Sequence, residues 1–277
     1  MHNHKNPKVT LVGAGPGDPE LLTLKGVRVL AEANVVLYDA LANEAILSYA
    51  PANAIKIFVG KRIGNHAYSQ DEINQLLVDN ALTYGNVVRL KGGDSFVFGR
   101  GSEEMEFVAS FGIETVVVPG ISSVIAVPAA QGISITKRGI AESFWAITGT
   151  TSTKELSADV ALAAQSTATV VILMGMSKLQ QIISLFQKQG KGELPIAIIQ
   201  NGTLPNEKIG VGTIDTIQQV VFENELASPA IIVIGEVVKE RNNLKGFYEN
   251  FVVETGFKPV CTDSVCTDSG EFDTRLK

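Results

Sequence analysis

The sequence predicts an α/β protein of two domains, with a mainly parallel sheet in the first and a mixed sheet in the second. Three observations predict it. Short apolar runs alternate with segments of helical period along most of the chain. Three loops of small residues each follow a predicted strand: Val12-Gly13-Ala14-Gly15-Pro16-Gly17-Asp18-Pro19, Gly92-Gly93-Asp94 and Gly120-Ile121-Ser122-Ser123. Small residues at strand ends let backbone approach a ligand closely, and three such loops point to one site around one cofactor. Finally, the link from Gln200 to Lys208 is short and polar, with no room for a crossover helix, so the strands beside it are antiparallel.

The elements follow in order. Val9–Val12 reads as a strand, Leu21–Ala33 as a helix, and Val35–Tyr38 and Ile55–Val59 as strands. Ser69-Gln70-Asp71-Glu72 is a capping-box sequence opening a helix with Ile73, Leu76, Leu77 and Leu82 at helical spacing. Val87–Leu90 is a strand, Ser102–Phe111 a helix, Thr115–Val118 a strand and Ser122–Gln131 an Ala-rich, close-packed helix. The rhythm changes after Thr136-Lys137-Arg138-Gly139. Strands are then expected at Phe144–Thr148, Val170–Met174, Ile196–Gln200, Lys208–Thr213 and Ile231–Ile234, with helices around Ala158–Ala164, Leu179–Gln189 and Ile217–Glu225. The domains therefore run 1–136 and 137–244. From 245 to 277 the pattern decays into an acidic tail, read as flexible, in which Cys261-Thr262-Asp263-Ser264 recurs as Cys266-Thr267-Asp268-Ser269.

Composition narrows the function. The chain has 277 residues, 45% hydrophobic and 19% charged, with a net charge of −6, which lacks the basic footprint of a nucleic-acid binder. No apolar run reaches the length of a membrane span, and the start lacks the hydrophobic stretch of a signal peptide. A cytoplasmic protein without membrane or nucleic-acid partners is expected. The only cysteines are the two in the tail, too few for a tetrahedral site, so no metal is expected.

The first loop is not an ordinary dinucleotide loop. Gly13 and Gly15 fit Gly-x-Gly-x-x-Gly, but Asp18 stands where the third glycine belongs, and Pro16 and Pro19 remove amide donors that a pyrophosphate cradle uses. The turn suits an uncharged or cationic group better, which speaks against a nicotinamide oxidoreductase.

The same loop, followed by Leu22-Thr23-Leu24-Lys25-Gly26, resembles the opening of the tetrapyrrole methylase family in its uroporphyrinogen-III C-methyltransferase branch. So do Tyr38-Asp39, Val59-Gly60-Lys61-Arg62 and the spaced Gly64, His66 and Gln70. Arg89-Leu90-Lys91-Gly92-Gly93-Asp94 with Phe96-Val97-Phe98-Gly99-Arg100-Gly101 is the strongest match. Val118-Pro119-Gly120-Ile121, Met174-Gly175, Asn201-Gly202-Thr203-Leu204-Pro205 and Gly235-Glu236-Val237-Val238 follow in order, over residues 8–244. The resemblance implies a two-domain fold with S-adenosylmethionine in the cleft between domains, a homodimer, and transfer of two methyl groups to carbons 2 and 7 of uroporphyrinogen III to give precorrin-2, a precursor of sirohaem and cobalamin. Another tetrapyrrole methyltransferase or a diphthamide-pathway methyltransferase of the same fold, and a non-catalytic binder of adenosylmethionine or a tetrapyrrole, are the alternatives.

By this resemblance Pro16, Gly92, Gly93, Asp94, Val97, Ser122, Ser123, Met174 and Gly202 contact the cofactor. Each has a plainer reading. Asp94 can form a turn, Met174 can fill a core, and Gly202 and the serines can be turn and helix-start residues. Asp39 matches a proton acceptor, with a structural cap or ribose binding as alternatives. Lys61 matches a proton donor. A multiply anionic substrate holds a lysine charged, so charge pairing suits Lys61 better than acid catalysis. The substrate carries eight carboxylates while this chain is acidic, so positive charge has to be local. Lys61, Arg62, Lys91, Arg100, Lys137 and Arg138 lie in or beside the motif loops and are the expected rim of the cleft. Four positions leave the family pattern: Ser95 for a proline, Lys137 and Thr150 for histidines, and Leu173 for a tyrosine. Ser95 is expected to loosen its loop, and the other three bear on substrate preference.

Overall fold

The computed structural model describes residues 6–60 and 68–241. Lys61, Arg62, Gly64, His66 and the tail with Cys261 and Cys266 lie outside the described residues.

Two five-stranded sheets form from separate stretches of chain. The first holds β1 (Lys8–Gly13), β2 (Val35–Tyr38), β3 (Ile55–Phe58), β4 (Asn86–Lys91) and β5 (Glu114–Val118), in the order β3-β2-β4-β1-β5. All four pairings in it are parallel. The second holds β6 (Phe144–Thr148), β7 (Thr169–Leu173), β8 (Pro195–Gln200), β9 (Lys208–Thr213) and β10 (Ala230–Ile234), in the order β6-β7-β10-β8-β9. Only β6 and β7 pair in parallel there, and β8 meets β9 antiparallel across the short polar link.

Helices cover both faces of each sheet, so the strands read as near-continuous apolar runs. On the first sheet, α1 (Leu24–Ala31) covers the face of Val12, Val36, Val88 and Leu90. The other face, with Val9, Leu11, Leu37 and Val87, packs on α2 (Gln70–Tyr84) and α3 (Gly101–Ser110). On the second sheet, α5 (Asp159–Gln165), α6 (Leu179–Lys188) and α7 (Ile217–Glu223) bury Ile172, Ile196, Ile198 and Ile232. Its opposite face, with Val171, Ala197, Ile199 and Val233, is covered by α4 (Ser123–Ala130) through Val124 and Val127. Thus α4 begins just after the first sheet and is buried against the second.

Two local expectations are corrected. The single helix over Leu21–Ala33 is broken into a 3-10 turn, Pro19–Leu21, and α1. Thr23 separates them: extended at φ −70° and ψ 147°, its hydroxyl accepts the Gly26 N–H as an N-cap. In α2 the capping box of Ser69 and Glu72 forms with both bonds, but Leu82 faces solvent, 61% exposed, while Ala81 takes the buried position after Leu77.

Candidate active site

The loops that leave β1, β2, β4 and β5 all stand at the carboxyl edge of the parallel sheet, where open α/β sheets hold ligands. Gly15 and Gly93 exchange backbone hydrogen bonds, Gly15 N–H to Gly93 O at 3.2 Å and Gly93 N–H to Gly15 O at 2.7 Å. Gly13 lies so close to Gly120 that a Cβ on Gly13 would stand 2.5 Å from the Gly120 Cα. Gly15 and Gly93 sit at φ +80° and +66°, conformations open to glycine at no steric cost. The three small-residue loops therefore meet at one place.

Asp94 ties this knot. One carboxylate oxygen accepts the Phe96 N–H at 2.8 Å and the other accepts the Gly120 N–H at 2.9 Å, so its turn-forming role is real and also joins the second loop to the third. From the second half of the chain, the Thr203 hydroxyl accepts the Asp18 N–H at 3.0 Å.

Beside the knot lies a cavity of about 760 Å³, in the range of small-molecule sites. Its walls include all nine residues expected to contact the cofactor: Pro16, Gly92, Gly93, Asp94, Val97, Ser122, Ser123, Met174 and Gly202. Asp39, Lys91 and Arg100 line it too. Ser122 is in addition the N-cap of α4, its hydroxyl accepting the Val124 N–H. Met174 is 52% exposed, so it is no core filler. Its backbone is left-handed at φ +54°, and its carbonyl accepts the Thr150 hydroxyl at 2.8 Å.

Asp39 sits at the end of β2 with one oxygen, Oδ1, accepting the N–H groups of Leu41 (3.1 Å), Ala42 (3.2 Å) and Gly92 (3.4 Å). Its other oxygen, Oδ2, lies 3.7 Å from Arg89 Nη2. Behind it Glu104, fully buried on α3, accepts from Lys91 Nζ at 2.9 Å and Gln70 Nε2 at 3.1 Å. Burial, with Arg89 beside it, pulls the Lys91 ammonium below the usual lysine range, and Glu104 offsets part of that pull.

This corrects the expected ring of cations. Lys91 does not present its charge at a rim: its side chain is 7% exposed and its ammonium is bound to Glu104. Lys137 is paired with Glu240, and neither it nor the exposed Arg138 lines the cavity. Arg100 does, paired with Glu103 from Nε at 2.9 Å. Nor does Ser95 leave its loop open: it is 1% exposed, and its carbonyl accepts the Gly101 N–H.

The sequence reading missed several walls of the cavity, among them Leu41, Asn43, Phe98, Asn201 and Ser228–Ile231. Four non-glycine residues with positive φ line it: Phe98, Arg100, Met174 and Asn201. Backbone strain of this kind gathers at functional sites, but it leaves no mark in a propensity pattern except at Asn201.

Fold and site define a class. The chain belongs to the tetrapyrrole methylase family: residues 8–218 match Tetrapyrrole (Corrin/Porphyrin) Methylases. Among its relatives is a uroporphyrinogen-III C-methyltransferase of Methanocaldococcus jannaschii, 45% identical over 233 residues, 83% of this chain and 96% of that protein. A siroheme synthase of Actinobacillus pleuropneumoniae serotype 7 is 45% identical over 241 residues, 87% of this chain and 49% of that protein, so this chain spans about half its length. The crystal structure of uroporphyrin-III C-methyl transferase from Thermus thermophilus, complexed with S-adenyl homocysteine, matches with a TM-score of 0.72 at 39% identity, covering 84% of this chain and 99% of that one.

Proposed function

We propose that this chain transfers methyl groups from S-adenosylmethionine to carbons 2 and 7 of uroporphyrinogen III, giving precorrin-2. The observation that carries this reading is the gathering of all nine expected cofactor residues around one cavity, in a chain closely similar to uroporphyrinogen-III C-methyltransferases.

The cavity fits the donor. Its glycines set backbone against neighbouring walls where a side chain would not fit: a Cβ on Gly92 would stand 2.5 Å from the Leu41 Cβ, and one on Gly202 2.6 Å from Val127 Cγ2. The walls combine backbone, apolar side chains and a polarizable Met174, a lining suited to a sulfonium nucleoside. When bound, S-adenosylmethionine supplies an electrophilic methyl, which a pyrrole carbon takes with its π electron pair while the sulfur leaves with the electrons of the broken S–CH3 bond.

The protein need supply no nucleophile, and its main contribution is to hold the reactants at near-attack distance. Pro16, Gly92, Gly93, Val97, Ser122, Ser123 and Gly202 shape the donor's seat, and Met174 packs on it. Asp94 keeps the seat closed. Asp39 accepts the proton that the methylated, cationic tetrapyrrole releases, using the oxygen that carries no backbone hydrogen bond. Lys61 and Arg62 follow β3 in sequence and, with Arg100 at the cavity wall, offer charge to the substrate carboxylates. The protein acts as a homodimer in the cytoplasm, with domains divided near residue 136 and the cofactor between them.

The test is transfer of labelled methyl to uroporphyrinogen III with product identification. Two labels per product molecule are expected. Binding of S-adenosylhomocysteine without any transfer would leave only a binding protein. A substrate KM indifferent to ionic strength would remove the charge-pairing role of the basic residues.

A further inference from the structure

Between β4 and the helices α2 and α3 the first sheet buries an ionic cluster that neither the fold nor donor binding explains. Arg89 and Lys91 alternate on the α2/α3 side of β4, 3% and 5% exposed. Glu104 answers them from α3. Its Oε1 accepts from Lys91 Nζ and Gln70 Nε2 and lies 3.5 Å from Arg89 Nε as an ion pair without a hydrogen bond, Arg89 Nη1 donating to the Leu90 carbonyl at 3.0 Å; among the described residues its Oε2 has no hydrogen-bond partner. Buried ion clusters of this kind are weak stabilising devices, and well-packed apolar residues often serve stability as well or better. The cluster does have an outlet. The Arg89 fork has its Nε toward Glu104 and its Nη2 toward Asp39 Oδ2, the carboxylate oxygen without backbone donors, and Asp39 lines the cavity.

We propose that Glu104 is a positioning residue for methyl transfer: from beneath the cavity its charge holds the Arg89 guanidinium between itself and Asp39, and so sets the orientation of that carboxylate. This rests on the reading of the cavity as a methyltransferase site and deepens it. The step served is the one already balanced above, in which the proton lost by the methylated tetrapyrrole passes to Asp39. Glu104 itself touches neither substrate nor donor.

Among the described residues, the charged and polar groups around this pair come from three elements. From β4 come Arg89 and Lys91. The first turns of α2 bring the neutral amides of Gln70 and Asn74. The start of α3 adds Arg100 and Glu103, which pair with each other. Two opposite changes follow. Removing the Glu104 charge leaves the Arg89 charge less opposed at Asp39, and acid keeps Lys91 protonated, so Asp39 holds its proton less readily. Removing the Arg89 charge has the reverse effect.

The experiment compares Glu104→Gln and Arg89→Met with the unaltered protein in methyl transfer as a function of pH, with S-adenosylhomocysteine binding and thermal unfolding measured alongside. In Glu104→Gln kcat is expected to fall about tenfold at neutral pH, with donor binding unchanged and the acid limb of the pH–rate profile moved down. In Arg89→Met the acid limb moves up by about one pH unit. If only one variant folds, its sign decides. Acid limbs that stay in place, or a loss of donor binding equal to the loss of rate, overturn the proposal. So does failure of both variants to fold, since the cluster is then structural. Absence of methyl transfer by the unaltered protein is a separate failure, that of the methyltransferase reading itself.

Discussion

The two sides of the cavity are built by opposite means. On the first-sheet side, Gly13 and Gly120 leave no room for a Cβ against backbone, and Gly15 and Gly93 exchange backbone hydrogen bonds from left-handed conformations. On the second-sheet side, Met174 and Asn201 carry full side chains on left-handed backbone that glycine would adopt more cheaply. One wall gains closeness by omission, and the other accepts strain to place a side chain. The difference teaches where substitution is tolerated: the glycine wall has no slack, whereas the opposite wall can trade stability for binding.

The largest effect is expected at Gly120. A Cβ there would stand 2.6 Å from the Gly13 Cα and closer still to the Gly93 carbonyl, both backbone, with no flexible side chain to yield. Gly120→Ala should destabilise the fold by about 3 kcal/mol or more and abolish S-adenosylhomocysteine binding in calorimetry. A variant that binds normally breaks the contrast.

Asp94→Ala comes next. It leaves the Phe96 and Gly120 amides without their charged acceptor, at a cost of about 2 kcal/mol, read as a lowered midpoint in thermal unfolding together with weaker donor binding. Met174→Gly sharpens the contrast, because its two readouts should move in opposite directions. Relief of the left-handed strain should stabilise by about 1 kcal/mol, while loss of the side chain weakens S-adenosylhomocysteine binding about tenfold, roughly the 1.4 kcal/mol of one decade in Kd. A midpoint and an affinity that fall together would show that Met174 is a packing residue after all.

The smallest effect belongs to Lys91. Its folded pKa lies below its ordinary value of 10.5, chiefly through burial. Between the two values the unfolded chain binds more protons than the folded one, so stability should rise with pH across that window. The difference in unfolding free energy between the unaltered protein and Lys91→Met, followed from neutral pH to about 10.5, should carry that positive slope. A flat difference would mean that Glu104 fully compensates the burial.

Much of this molecule was legible in its sequence because its strands are short apolar runs with clear ends. β2, β6 and β9 fall on the residues read for them, and the Gln200–Lys208 link fixes an antiparallel pair by length alone. The glycine loops could be placed at strand ends, and the structure joins them. What stayed hidden was the fate of charge. Lys91 was visible as a cation in a loop motif, which reads as a solvent-facing partner for an anionic substrate, while Arg89 fell inside the strand read at Val87–Leu90. In a parallel sheet covered on both faces neither side of a strand meets water, so alternation with Val88 and Leu90 already implied that the two cations are buried and need an acid. Glu104, one turn before Val108 on α3, was that acid. The break at Thr23 was hidden for another reason. Threonine serves as helix interior or as N-cap, and its extended backbone, with the Gly26 N–H bonded to its hydroxyl, settles the choice.

The position of α4 carries a mechanical consequence. Its N-cap, Ser122, stands at the glycine knot of the parallel sheet, and within the first turn Val124 and Val127 are locked into the apolar layer under β7, β8 and β10. The helix is thus pinned through its first turn beside the cavity. Spreading the walls to admit a ligand must bend the chain at Ile121–Ser122 or pull those valines from their seats, and the first is far cheaper. Whatever opens this pocket pivots beside the serines that line it.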